Sequence, residues 1–341
     1  MKKEADDLHG SPEARAIMTR YPAIDLHADT LMWSRWTRYD LRRRHRPPLP
    51  KSAYTGHVDI PRLADGLVGA QFFGLVTLPL GPGKCAAAVE SQAARLEIAC
   101  SAGDRMVQAS SAEEIELLNA EGGIAALLGV EGAHALDGEL DNVAVFAELG
   151  VRYLGLAHFS ANDACRPSKG LGADQTSGLT PFGCETIGAC EESGVIVDLA
   201  HLNDAGFAEA VCLARKPLIV SHAGIAGAYR HWRNLADWQL KAVAESGGVV
   251  GIMFVPAYLG GADLATVVRH IEHAVSAAGE DHVALGSDYD GMIVPPPELA
   301  DVSMLPNLTD AMLRAGWSER RIAKILRQNV LRVLRDVPPQ N

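Results

Sequence analysis

Eight short apolar runs, each followed by a polar loop and then an amphipathic segment, constrain the fold of this chain more than any other feature. They occupy residues 23–27, 68–76, 124–130, 151–157, 195–200, 217–221, 249–254 and 283–287. Nearly continuous runs of Val, Ile, Leu and Ala mark parallel strands buried on both faces, whereas strands with one wet face alternate. Between them, residues 142–149, 181–193, 204–214, 236–246 and 264–278 carry helical periodicity. Eight such units across about 265 residues predict an α/β protein of the (β/α)8 class, a TIM barrel. The last segment, 318–334, places apolar residues at 322, 325, 326, 330, 331 and 334 opposite charged ones and reads as an amphipathic closing helix. At about 150 residues per domain, a chain of 341 residues would hold two domains. The unbroken rhythm predicts one instead: an N-terminal extension over 1–22, then a single barrel domain over 23–341 that includes the closing helix.

With 48% hydrophobic and 21% charged residues, there is ample material for a large core, which excludes disorder as the main state. A net charge of −11 repels phosphate backbones, so no nucleic-acid partner is expected. The opening MKKEADDLHG has no apolar core of a secretory signal, the closing RDVPPQN has no anchor tail, and no apolar stretch reaches the ~20 residues that span a bilayer. The expectation is a cytoplasmic protein with no membrane partner. Its six cysteines show no CxxC spacing and read as reduced thiols. The basic run RWTRYDLRRRHRPPLPK over 35–51 reads as a solvated loop, or as one overhanging the barrel mouth where it would favour anionic substrates. The stretch Gly81-Pro82-Gly83-Lys84-Cys85 fails as a phosphate-binding loop, because Leu78 stands where the first glycine belongs and Cys85 replaces Ser or Thr.

Chemistry concentrates at the strand ends. The first run leads to His27 and Asp29, two apart and so able to reach one ion together. The third run ends at Glu131, the fourth at His158, the fifth at His201, the sixth at His222 and the eighth at Asp288. Six of eight strands thus deliver a His, Asp or Glu to the face where barrel enzymes place their chemistry. A lone histidine beside a strand has an ordinary structural explanation. A ring of carboxylates and imidazoles in one dry mouth does not, because unpaired charges there are costly. One divalent cation offsets that cost, and two offset it better when a carboxylate bridges them. His134 lies close enough to Glu131 in sequence to support it.

These residues sit within DLHADT, GVEGAHAL, GVRYLGLAHFSAN, SGLTPFGCE, GVIVDLAHL, PLIVSHAGI, RNLAD, GSDYDG and NVLRVL. In combination the motifs resemble the renal, or membrane, dipeptidases, zinc metallopeptidases with amidohydrolase-like barrels, over about residues 24–334. The resemblance implies two Zn2+ ions, one on His27 and Asp29, the other on His201 and His222, with Glu131 bridging both. It implies that Asp288 is the catalytic aspartate, that His158 contacts substrate, and that Arg233 binds the substrate carboxylate. Glu131, Asp288 and His158 would then be catalytic, with a hydroxide between the metals attacking small dipeptides, L-Xaa-L-Xaa and also L-Xaa-D-Xaa. A homodimer is a further expectation. The family's Asn after the first ligand histidine is Ala28 here, its GxDFDG phenylalanine is Tyr289, and residues 159–168 differ from the mammalian pattern. None of these removes a ligand, but all bear on the pocket. Alternatives are a related metal hydrolase acting on N-acyl amino acids, lactones or phosphoesters, and a metal-binding homologue without activity. Arg233 discriminates, since a dipeptide's free carboxylate suits a bidentate guanidinium.

Overall fold

The computed structural model describes residues 9–45, 53–78, 84–101, 103 and 105–340. Eight parallel strands follow one another around a closed barrel: β1 Ala23–Ala28, β2 Val68–Val76, β3 Ile124–Glu131, β4 Val151–Gly155, β5 Ile196–Asp198, β6 Ile219–Ile225, β7 Val249–Ile252 and β8 Val283–Leu285. Each pairs with its sequence neighbours, and β1 closes on β8 with Asp25 opposite Leu285. Every residue of these strands is buried, as the unalternating apolar runs require. The eight strands fall where the eight runs were read.

Two apolar layers result. Ile24, Phe72, Leu127, Tyr153, Ile219 and Val249 fill the barrel interior. Val330, Leu331, Val333 and Leu334 of the C-terminal helix join that same interior cluster and plug the barrel at the bottom. The outer layer seats the helices, such as Leu264–Ala278, capped by Asp263 accepting from Thr266 N and burying Leu264, Val267, Val268, Ile271 and Ala274.

The closing helix departs from a plain amphipathic α-helix. Glu319–Ala323 passes through a π turn at Lys324–Gln328 before Asn329–Asp336 resumes α geometry. The wider turn lets Ile325, Leu326 and Arg327 and then Asn329, Val330 and Leu331 all face inward, which an unbroken 3.6-residue repeat does not allow. Two short strands escaped the sequence reading: Met106–Gln108 pairs with β3, and Asn234–Leu235 pairs with β6. The N-terminal segment includes a helix, Pro12–Arg20, whose Ile17 and Met18 are buried.

Candidate metal centre and active site

Glu131, the last residue of β3, is the centre of the constellation. Its Oε1 lies 3.7 Å from His27 Nε2, 3.1 Å from His201 Nε2 and 3.5 Å from His222 Nε2, while Oε2 lies 3.5 Å from His158 Nε2. His27 Nε2 is 3.1 Å from Asp29 Oδ1, and the Nε2 atoms of His201 and His222 are 3.0 Å apart. Two triads therefore share one carboxylate: His27, Asp29 and Glu131, and His201, His222 and Glu131. Asp288 also comes within 4.8 Å of the ligand atoms of His27 and His222, and His158 within the same distance of those of Glu131 and His201. His27 Nε2, Asp29 Oδ1 and Glu131 Oε2 are buried with no hydrogen-bond partner. Buried polar atoms are rarely left so, and convergent orphan atoms of His, Asp and Glu are what a divalent cation would satisfy.

The backbone is shaped to allow this approach. A Cβ on Gly74 of β2 would meet Asp29 Oδ1 at 2.4 Å, so only glycine leaves room for that carboxylate. His201 and Asp288 both have φ of 64°. That left-handed conformation is unfavourable for residues with a Cβ and tends to occur at functional sites.

Several supporting residues went unassigned in the sequence. Tyr153 Oη lies 2.7 Å from His27 Nδ1 and so directs the other nitrogen toward Glu131. Gly129 makes space for that ring, since a Cβ there would stand 2.0 Å from Tyr153 Cζ. On β5, Asp198 Oδ1 accepts from Ser221 N at 2.8 Å and its Oδ2 from Ser221 Oγ at 2.6 Å, while that hydroxyl lies 3.0 Å from His222 Nδ1. With its proton committed to Asp198, the hydroxyl accepts from Nδ1–H and leaves Nε2 free as a ligand. An equivalent clamp joins β1 to the end of β8: Asp25 accepts from Ser287 N at 2.7 Å and Ser287 Oγ at 2.6 Å, next to Asp288. Both serines directly precede a site residue. His134 does not bond Glu131; its Nε2 lies 2.7 Å from Thr77 O, and its ring stacks at 6.3 Å from that of His158.

Electrostatics agrees with a cation site. Burial, then the neighbouring Asp29, holds Glu131 well above the usual carboxylate range, and the same two causes push Asp288 up to about 7. Burial lowers His27, but the carboxylates of Asp29 and Glu131 overcome it and push the imidazole up to about 10. His201 and His222 are held well below the usual histidine range by burial, and His158 is pushed down to about 3 for the same reason. His201 and His222 are thus neutral and ready to ligate, whereas His27 and Glu131 give up protons when a cation binds.

A cavity of about 680 Å³ opens over the centre. Asp29, Glu131, His158, His201 and Asp288 form its floor, and Val255, Pro256, Met292, Ile293 and Val294 line its walls. Arg233, in the loop after β6, is buried, and its Nη2 donates to His222 O at 2.8 Å. No carboxylate among the described residues stands within ion-pair distance of it. Described arginines of the basic run pair with nearby carboxylates: Arg42 with Asp40 at 2.8 Å, and Arg44 with Asp65. Among the described residues, none of them lines this cavity. Residues 46–51 of that run, and 81–83 of the glycine-rich stretch, lie outside the described residues.

Comparison with known proteins bears on the same residues. The sequence model of a family described as membrane dipeptidase (peptidase family M19) matches residues 11–340. Dipeptidase tcpJ of Claviceps purpurea is 34% identical over 303 residues, covering 84% of this chain and 71% of the relative. A metallopeptidase from Rhodobacter sphaeroides, solved with a phosphinate mimic of the dipeptide L-Ala-D-Ala, superposes with a TM-score of 0.81 at 27% identity over 93% of this chain and 99% of its own. The probable dipeptidase PvdM of Pseudomonas aeruginosa shares the fold, with a TM-score of 0.84 at 21% identity over 95% of this chain and 97% of its own.

Proposed function

Because this chain belongs to the membrane dipeptidase family, peptidase family M19, and is a metallo-dipeptidase with an amidohydrolase-like TIM barrel, we propose that its centre takes two zinc ions and that the surrounding side chains divide the reaction among them. His27 and Asp29 would hold one ion, His201 and His222 the other, with Glu131 shared. The single observation that carries this reading is Glu131 Oε1 lying between 3.1 and 3.7 Å from three histidine nitrogens. Five protein ligands exceed what one tetrahedral zinc accepts. A bound divalent pair supplies Lewis acidity and a water that ionises near pH ~7.

The chain's own groups do the rest. Asp288 stands at the floor of the cavity, where it takes a proton from the attacking water and returns it to the leaving amine. His158 is not needed as a ligand; it donates from its imidazole to the oxyanion that develops on the scissile carbonyl. Arg233, buried and without an ion-paired carboxylate among the described residues, binds the α-carboxylate of the second residue. The ligand of the Rhodobacter sphaeroides relative mimics L-Ala-D-Ala, which supports acceptance of D as well as L residues at that position. The six cysteines are unpaired, in keeping with the reduced thiols of a cytoplasmic protein, which cell fractionation tests.

Metal analysis of the saturated protein, alongside hydrolysis of Ala-Ala, Ala-D-Ala and N-acetylalanine, tests the reading. Two equivalents per chain and turnover of the dipeptides alone are expected. One equivalent at saturation, or preferred turnover of the acylated amino acid, overturns it.

A further inference from the structure

The two groups assigned to substrate rather than metal each have an aromatic neighbour in sequence: Phe159 follows His158, and Trp232 precedes Arg233. The fold brings these rings together. Phe159 and Trp232 stand edge to face with centroids 6.4 Å apart, and Trp232 meets Tyr258 edge to face at 5.5 Å. Phe159 and Tyr258 line the main cavity, while Trp232 lines an adjoining one of about 380 Å³ together with His201 and Arg233. The three rings thus stand where the two cavities meet, over the buried guanidinium. Phe159 is 42% and Trp232 40% exposed, whereas the polar residues beneath them are buried. Large aromatic rings left in water beside a buried polar centre gain most when a ligand covers them.

We infer that Phe159, Trp232 and Tyr258 form the subsite for the side chain of the dipeptide's second residue, and that this enzyme selects dipeptides with an aromatic residue there. The placement rests on the reading that Arg233 binds the α-carboxylate. A side chain on the carbon bearing that carboxylate lies within one residue's reach of Trp232, the sequence neighbour of Arg233, and of Phe159, whose ring meets that of His201 edge to face at 4.8 Å. Edge-to-face and offset contacts with the three rings favour an aromatic group over an aliphatic one of similar area. The apolar wall of Met292, Ile293 and Val294 beside Asp288 serves the first residue instead.

The test compares kcat/KM of the zinc-loaded enzyme for Ala-Phe, Ala-Ala, Phe-Ala and Ala-Phe amide. Ala-Phe is expected to exceed Ala-Ala by at least about tenfold, the scale of side-chain discrimination in an apolar pocket. Trp232→Ala and Phe159→Ala should each lower the ratio of Ala-Phe to Ala-Ala about tenfold, and Trp232→Phe should keep it. The ratio is unaffected by a general loss of folded enzyme. A ratio near one in the wild type, a ratio that neither substitution moves, or substitutions that act on Phe-Ala instead would each overturn the inference. If the amide remains a poor substrate in those cases, the Arg233 assignment stands and the subsite alone is wrong. An amide turned over as fast as the acid removes the Arg233 assignment and the placement built on it.

Discussion

Replacing Ser221 by alanine isolates the contribution of the Asp198–Ser221–His222 chain to metal binding. The hydroxyl donates to Asp198 Oδ2 at 2.6 Å and lies 3.0 Å from His222 Nδ1, whereas Ser221 N keeps its own bond to Asp198 Oδ1 at 2.8 Å. The strand should therefore stay in place while both hydroxyl contacts vanish. Losing a hydrogen bond to a buried carboxylate costs about 1.5–3 kcal/mol, and leaving the imidazole N–H unpaired costs about 1–3 kcal/mol more, so the metal-free protein should lose roughly 2.5–6 kcal/mol of stability. The ring is also freed to turn and to place its proton on Nε2, the ligand nitrogen. Outer-shell losses of this kind weaken metal binding by about 10–100-fold. Chelator competition reads that affinity, and denaturant unfolding of the metal-free protein reads the stability. Ser287→Ala is the control, since it removes the matching contact to Asp25 Oδ2 at 2.6 Å and a 3.1 Å contact to the backbone carbonyl of His27, but no hydrogen bond to an imidazole nitrogen. It should cost stability with a much smaller change in metal affinity. Metal affinity of Ser221→Ala within twofold of the wild type, or an equal loss in both variants, would refute the tautomer argument.

Asp288→Asn and His158→Ala should each lower kcat at least about 100-fold while both metal equivalents remain bound; metal lost from Asp288→Asn in step with activity would make that aspartate a ligand first. Arg233→Ala should cost about 3 kcal/mol in kcat/KM for a dipeptide, the scale of a lost charge-assisted pair, and should abolish the preference for acid over amide; an unchanged preference counts against the carboxylate role. Metal uptake should release protons at neutral pH, because Asp29 and Glu131 keep the metal-free His27 imidazole raised to about 10 despite burial. Affinity should accordingly strengthen as pH rises below that value, and calorimetry in buffers of different ionisation enthalpy that finds no proton release contradicts the assignment of His27. Gly129→Ala should destabilise the protein by at least about 1–3 kcal/mol, since its Cβ would lie 2.0 Å from Tyr153 Cζ; an unfolding midpoint equal to the wild type's would show that the ring has room to move.

The parts of the site that were legible in sequence are those written along a single strand. His27, Glu131 and His222 close or follow apolar runs, and the barrel brings the ends of all eight strands to one rim. Arg233 was legible only through family resemblance. Nothing local separates it from Arg230, yet the structure buries the first and exposes the second. The clamps were not legible at all. Asp25 and Ser287 are 262 residues apart, and Asp198 and Ser221 are 23 apart, so each looks like an isolated polar residue in an apolar strand until the neighbouring strand supplies its partner. The basic run was read first as a solvated loop, and the exposed pairs Arg42–Asp40 and Arg44–Asp65 agree with that; only the second pair, between residues 21 apart, needed the fold to be seen.

What the sequence determined by itself is periodic or terminal: strands buried on both faces, helices with one apolar side, and ligand-type residues where each strand stops. Burial of backbone and apolar surface dictates those patterns residue by residue, so they can be read without neighbours. What only the tertiary structure decided is pairwise: which carboxylate sits among which imidazoles, which hydroxyl fixes a tautomer, which glycine makes room for Asp29, and which aromatic rings stand over Arg233. Those depend on the closure and register of the barrel, through which strands distant in sequence come within hydrogen-bonding reach.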